Sequence, residues 1–282
     1  MCATCGCSDD SEAKLTDLRS GESFPLHDHD AHEHHHHHDH GADHSHAHAH
    51  DDSHHHHGPV IALEQAVLAK NNGVAERVRG WLAGREILAL NLVSSPGSGK
   101  TTLLERTIRD LGRELSLSVI EGDQQTLNDA RRIEATGCRV VQINTGTACH
   151  LDASMVARAL RQLEPSPGSV VMIENVGNLV CPALFDLGEW SKVAVVSVTE
   201  GEDKPIKYPH MFRASGVMIL NKIDLLPYVS FDVERCLAFA RQVNPKIQIL
   251  QLSATRGDGL AAWYDWLRAQ SVQRRQLAGR LI

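Results

Sequence analysis

The chain has 282 residues and a formal net charge of −7, enough for one large or two ordinary domains. No apolar run approaches the roughly 20 residues of a membrane span, and no basic face is large enough to argue for nucleic acid. The start lacks the basic and apolar regions of an export signal. The seven cysteines are therefore expected in the cytosol, as metal ligands or buried residues rather than disulfides.

The charge is unevenly spread. Residues 1–58 hold two basic and twelve acidic side chains, a net of −10, and the rest of the chain sums to +3. Met1 to Gly58 also differs in composition. It opens with Cys2, Cys5 and Cys7, and loss of Met1 would expose the amine of Cys2 as a fourth donor. Thiolates with an amine suit nickel, copper or zinc. Between His27 and His57 lie 17 of the 19 histidines, interleaved with Asp28, Asp30, Asp39, Asp43, Asp51 and Asp52. Such a segment has almost nothing apolar to bury, so residues 1–58 are expected to form a disordered metal-binding tail. Imidazoles at this density bind divalent metal with little geometric discipline, which suits a buffer or store.

Pro59 opens globular sequence, and residues 59–282 read as one nucleotide-binding domain with a helical segment in front. Ile61, Leu63, Val67, Leu68, Val74, Val78 and Leu82 recur at helical spacing, with Asn71-Asn72-Gly73 as the expected break. Apolar runs at Ile87–Val93, Ser118–Glu121, Arg139–Ile143, Val170–Glu174, Val193–Val198, Val217–Asn221 and Ile247–Leu250 predict strands. Helices are expected near 102–115, 127–136, 153–163, 231–243 and 259–269. This alternation predicts an α/β fold, a mostly parallel sheet with helices on both faces. Ligand residues should then collect at the carboxyl ends of the strands.

The first strand runs into Ser95-Pro96-Gly97-Ser98-Gly99-Lys100-Thr101-Thr102 and then a helix, the context of a phosphate-binding loop. Gly97 and Gly99 let backbone N–H groups turn around phosphate oxygens, Lys100 can reach the β- and γ-phosphates, and the Thr101 hydroxyl can ligate Mg²⁺. Ser94 stands where the loop pattern wants glycine. Asp123 after the second strand and Glu174 at the end of the fourth are carboxylates placed to hold Mg²⁺ or orient water. Lys100, Asp123 and Glu174 are the candidate catalytic residues. Asn221, Lys222 and Asp224 point to guanine, because a carboxylate can accept from both its N1–H and its 2-amino group, donors that adenine does not present there. Ser253 and Ala254, with Thr255, have the look of a backbone clamp on the guanine oxygen. Cys149, His150 and Cys181 fall on two loops of the nucleotide side, and such a trio suits nickel or zinc, although singly each cysteine is better read as a small buried residue. Cys138 and Cys236 are read as packing residues.

On these motifs, together with Glu121-Gly122-Asp123-Gln124-Gln125, Asn144-Thr145-Gly146, Glu174 through Pro182 and Glu200-Gly201-Glu202-Asp203-Lys204-Pro205, the chain resembles the hydrogenase nickel-incorporation GTPases, or hydrogenase maturation factor B, over nearly its whole length. The resemblance implies a P-loop NTPase fold, slow GTP hydrolysis with Mg²⁺, and a GTP-linked homodimer. It also implies nickel delivery to the large subunit of [NiFe] hydrogenase in partnership with the nickel chaperone, hydrogenase maturation factor A. It carries over two metal sites, Cys2/Cys5/Cys7 and Cys149/His150/Cys181. Two alternatives stand beside it. The urease accessory GTPases also pair a histidine-rich start with nickel, but their Cys-Pro-His triplet is absent here. A metal-storage protein with an incidental GTPase is opposed by intact Lys100, Asp123 and Asp224.

Overall fold

The structure, a computed structural model, describes residues 13–26, 58–124 and 126–278. Cys2, Cys5, Cys7 and the histidine tract lie outside the described residues. All seven expected strands are present: β3 (Leu88–Ser94), β4 (Leu117–Asp123), β5 (Arg139–Asn144), β6 (Val170–Glu174), β7 (Ser191–Ser197), β8 (Ser215–Asn221) and β9 (Gln248–Gln251). They pair in parallel in the order β5-β4-β6-β3-β7-β8-β9. Because a parallel sheet is covered on both faces, its central strands carry no solvent-facing alternation, and every residue of β3 and β6 is buried. Apolar clusters lie on both faces. One holds Leu103, Leu104 and Trp263, and another holds Val156, Leu160 and Leu163.

Five expected helices are present as α2 (Lys100–Leu111), α3 (Asn128–Glu134), α4 (Ala153–Leu163), α8 (Val233–Val243) and α9 (Leu260–Ala278). The short helices α5 (Cys181–Leu184), α6 (Lys204–Lys207) and α7 (Pro209–Ala214) are too brief to leave a periodic signature in sequence.

Two expectations are corrected. The helix α1 (Gly58–Gly84) runs unbroken through Asn71-Asn72-Gly73. Asn71 is not a breaker here: its buried side-chain amide donates to the Asp186 carbonyl at 2.8 Å and its oxygen accepts from the Ala153 backbone at 2.9 Å. Tertiary hydrogen bonds override the local turn preference.

The second correction concerns the tail. Residues 13–26, assigned with the rest of 1–58 to disorder, include β1 (Lys14–Asp17) and β2 (Ser23–Pro25). This hairpin extends the sheet, with β1 antiparallel to β5 and Lys14 opposite Asn144. Ala13, Leu15 and Asp17 alternate inward, and Leu15 joins Ile143 and Leu160 in the core. A run of three inward positions was too short to stand out beside so polar a neighbourhood. Asp17 closes the turn by accepting from the backbone of Arg19 at 2.9 Å and from Gln162 at 3.0 Å.

Among the described residues, no helix is long and apolar enough to cross a membrane.

Candidate functional site

The carboxyl ends of β3, β4 and β6 border a cleft of about 510 Å³, lined by Gly97, Gly99, Lys100, Thr101, Glu121, Asp123, Glu174 and Gly177 among others. The chain leaves β3 and turns through Gly97 (φ 75°) and Gly99 (φ 98°) into α2. Gly99 is needed for space as well as conformation: a Cβ there would stand 2.5 Å from the Asn221 amide. Ser94 is tolerated because it is the last residue of β3, fully buried, and its hydroxyl accepts from Lys100 Nζ at 2.8 Å. Lys100 therefore lies back along the loop. The Thr101 hydroxyl donates to Glu174 at 2.8 Å.

Glu121 is a site residue that the sequence reading named only within a motif, without a role. It is paired in register with Glu174 on the neighbouring strand, so the two buried carboxyls stand side by side. Burial pushes Glu121 up to about 9, with repulsion from Glu174, Asp123 and Asp129 adding to it and Lys100 opposing. Burial raises Glu174 to about 7, against the pull of Lys100 and the Thr101 hydrogen bond. Among the described residues, one oxygen of each has no hydrogen-bond partner. Two orphaned buried carboxylate oxygens beside a threonine hydroxyl form an all-oxygen donor set, which fits Mg²⁺. Asp123 is turned partly to its own loop, where it accepts from the Gln124 backbone at 2.6 Å and the Thr126 hydroxyl at 2.8 Å. The signal for Glu121 was available: Glu121 and Asp123 are two apart on a strand and share a face.

Asn221 joins the residues expected on the base side to the phosphate loop. Its amide donates to the Ser98 carbonyl at 2.9 Å, and its oxygen accepts from the backbones of Lys222 at 2.8 Å and Ala254 at 3.1 Å. Lys222 Nζ donates to the Gly97 carbonyl at 2.7 Å. Asp224 follows in a 3-10 turn, Ile223–Tyr228, and Ser253 is fully buried with its hydroxyl accepting from the Arg256 backbone. Ser95 and Ser98 are held from the other side. Lys204 Nζ donates to the Ser95 hydroxyl at 2.7 Å, and the Ser98 hydroxyl donates to Glu200 at 2.7 Å. Glu200 and Lys204, ion-paired at 3.0 Å, entered the sequence reading only as part of a motif. Thr102 faces the cleft rim, within hydrogen-bond reach of Arg132 at 3.3 Å.

Cys149, His150 and Cys181 do meet. Their ligand atoms all lie within 4.8 Å of one another, with the two sulfurs 3.1 Å apart. The His150 ring packs on Phe185 at 3.9 Å. Burial holds its imidazole below the ordinary value, with Asp152 partly opposing, so the ring stays neutral and able to ligate. Two thiols and a neutral imidazole suit nickel or zinc. Cys138 and Cys236 stand apart in the apolar clusters, each pushed up to about 12 by burial.

The trio is wired to the segment after Glu174. Asn175 Oδ1 accepts from the Leu151 backbone at 3.2 Å, and Asn178 donates to the Cys149 carbonyl at 3.4 Å. Gly177 packs directly on Pro96 of the phosphate loop, where a Cβ would come within 3.0 Å of the proline ring. Gln124, next to Asp123, donates to the Ala148 carbonyl at 3.4 Å.

Comparison with known proteins gives the family. A family model described as CobW/HypB/UreG, nucleotide-binding domain, matches residues 88–251. Hydrogenase maturation factor HypB of Escherichia coli K12 is 60% identical over 211 residues, covering 75% of this chain and 73% of its own. A protein described as hydrogenase/urease maturation factor HypB, from Helicobacter hepaticus, is 36% identical over 220 residues, covering 77% of this chain and 90% of its own. Among solved structures, HypB from Archaeoglobus fulgidus matches with a TM-score of 0.68 at 39% identity, over 72% of this chain and 99% of that one. HypB from Helicobacter pylori in complex with nickel matches with a TM-score of 0.68 at 36% identity, over 72% of this chain and 96% of that one. With its P-loop NTPase fold and this combination of phosphate loop and ligand trio, the chain belongs to the HypB hydrogenase maturation factor family, within the CobW/HypB/UreG group of nucleotide-binding domains.

Proposed function

We propose that the protein hydrolyses GTP slowly and uses the nucleotide cycle to bind and surrender nickel for the large subunit of a [NiFe] hydrogenase. The supporting observation is the hydrogen bonding of the Cys149/His150/Cys181 trio into the Glu174–Asn178 segment. That segment borders the cleft where a γ-phosphate would lie. In this reading Lys100 leaves Ser94 to meet the β- and γ-phosphates, and the N–H groups of residues 97–102 line the phosphate chain. Thr101, Glu174 and Asp123, with Glu121 alongside, would hold Mg²⁺, which would supply charge neutralisation at the phosphates. Asp123 orients the attacking water. Asp224 accepts from guanine, with Lys222 and the Ser253–Ala254 backbone at its edge.

The chain would act as a cytoplasmic homodimer linked by GTP, receiving or passing nickel with hydrogenase maturation factor A. The histidine tract and Cys2, Cys5 and Cys7 would add storage, and zinc is the competing occupant of the internal trio. Urease maturation is the second reading, favoured by the description of the Helicobacter hepaticus relative. The test is a deletion strain complemented by the wild-type chain or by Cys181→Ser. Hydrogenase activity should fall on deletion, recover with wild type or with excess nickel, and fail to recover with Cys181→Ser at limiting nickel. Loss of urease instead would support the second reading, and loss of neither would refute both.

A further inference from the structure

Away from the nucleotide cleft, α1 and α4 enclose a groove of about 430 Å³ lined by Val74, Val78 and Trp81 with Arg77, Arg158 and Arg161. Among the described residues no carboxylate lines it. Among the described residues, Arg77 and Arg161 have no ion-pair partner, and Trp81 leaves 40% of its surface exposed. Guanidinium groups left without a counter-charge beside an apolar floor, as Arg77 and Arg161 are, repel one another and waste the apolar surface. The nucleotide reaction does not use them.

The chain itself supplies a complement. Residues 27–57 carry seven carboxylates, namely Asp28, Asp30, Glu33, Asp39, Asp43, Asp51 and Asp52, with no lysine or arginine. This segment starts beside the groove and rejoins the chain at the start of α1, about 24 Å along the helix from Val74. It begins after Leu26, whose carbonyl accepts from Arg158, a wall residue. It ends at Gly58, the first residue of α1, which forms the other wall. Chain connectivity alone keeps Asp28 and Asp30 within roughly 14 Å of Leu26.

We propose that the arginine groove between α1 and α4 seats the acidic histidine tract of the same chain, and that metal loading of the tract releases it. With neutral imidazoles the tract carries −7. Each Ni²⁺ adds two positive charges, so four ions bring +8 and reverse its sign. A loaded tract is then repelled by Arg77, Arg158 and Arg161 and presented to solvent; an empty one is held. The docking half stands on charge and connectivity alone. The release half rests on the proposed reading of the tract as a nickel store.

Trp81 reports on the groove through acrylamide quenching, a neutral probe indifferent to the arginines. Its signal is isolated as the difference between the full chain and the full chain carrying Trp81→Phe. At low salt without metal, the Trp81 quenching constant should be low. It should rise at least twofold when the seven acids are replaced by Asn or Gln, and again in wild type at 0.5 M salt, where screening acts within about 4 Å. Adding NiCl₂ to the wild type at low salt should give the same rise. An equal constant in wild type and in the neutralised tract overturns docking, as does protection that grows with protein concentration, which would mean a second copy covers the groove. If salt and neutralisation expose Trp81 but nickel does not, docking stands and metal release is refuted. Unchanged GTP hydrolysis in the neutralised protein verifies that it folds.

Discussion

At the scale of single residues, the site depends on groups whose neighbours contradict their ordinary chemistry. Glu121 and Glu174 are buried side by side on adjacent strands, a pairing that repulsion and desolvation oppose. A packed core has no use for it, and a cation site does. The base-side residues show a simpler logic. Asn221 ties the phosphate loop to Ala254 with both ends of its amide, which leaves Asp224, three residues on, as the group available to a base. If Asp224 reads guanine through two donors, Asp224→Asn should weaken GTP binding by about 2–4 kcal/mol and favour xanthosine triphosphate, whose 2-oxo group needs a donor. Titration of both nucleotides against the variant decides it, and unchanged GTP affinity would remove the basis for base recognition at this position.

At the scale of elements, the hairpin β1–β2 is the addition that sequence periodicity did not announce. It depends on Asp17, whose carboxylate accepts from Gln162 and from the backbone of Arg19 and Ser20. Burial opposes the charge, but those hydrogen bonds and the nearby Arg139 outweigh it and hold the carboxyl below its ordinary 3.8. A depressed folded value means that the unfolded chain binds more protons. The stabilisation is therefore complete above the ordinary carboxyl range and is lost as pH falls through the folded value. Asp17→Asn should cost about 1 kcal/mol at pH 7, and the difference from wild type should shrink below about pH 4. Urea unfolding at the two pH values measures it, and a constant difference would mean that the charge contributes nothing. The same hairpin places the ends of the cysteine-bearing and histidine-bearing segments: Lys14 pairs with Asn144 at the carboxyl end of β5, and Leu26 donates to the Ala13 carbonyl. Ala13 thus lies beside the strand that leads to Cys149, with Leu26 one strand further out.

For the molecule as a whole, the question is whether metal and nucleotide communicate. Asn175, Asn178 and Gln124 connect the trio to both sides of the cleft, so a shift of the Glu174–Asn178 segment changes the distances among Cys149, His150 and Cys181. Metal affinity is sensitive to such shifts, and linkage makes the effect reciprocal, about 1–3 kcal/mol. Nickel affinity at the trio should therefore differ between GDP and a non-hydrolysable GTP analogue, measured by chelator competition on protein lacking the N-terminal thiols and the histidines. Superimposed curves would make the trio structural. Storage is a separate matter. Replacing residues 27–57 with a Gly/Ser linker of equal length should cut nickel bound per chain several-fold and leave GTP hydrolysis intact. A removal that began earlier, at Gly21, would take β2 with it and confound the result. Loss of hydrolysis in the linker protein would show that the tract belongs to the folded machine.

The parallel α/β layout, the phosphate loop and the meeting of the Cys-His and Cys loops were all legible in the chain. Each is written locally, as apolar runs with turns between them or as short spacings of reactive residues. The sequence alone also carried the family resemblance, because its motifs are contiguous. Other features depended on residues far apart in the chain, where no periodicity points. Asn71 remains helical because Asp186 and Ala153 bond its side chain. Glu121 becomes part of the site because register puts it beside Glu174. Glu200 and Lys204 matter because Ser98 and Ser95 lie against them. The hairpin exists because β5 offers an edge that only the assembled sheet creates. Local patterns choose the elements, and the neighbours they meet on folding set the charge state and reach of each side chain.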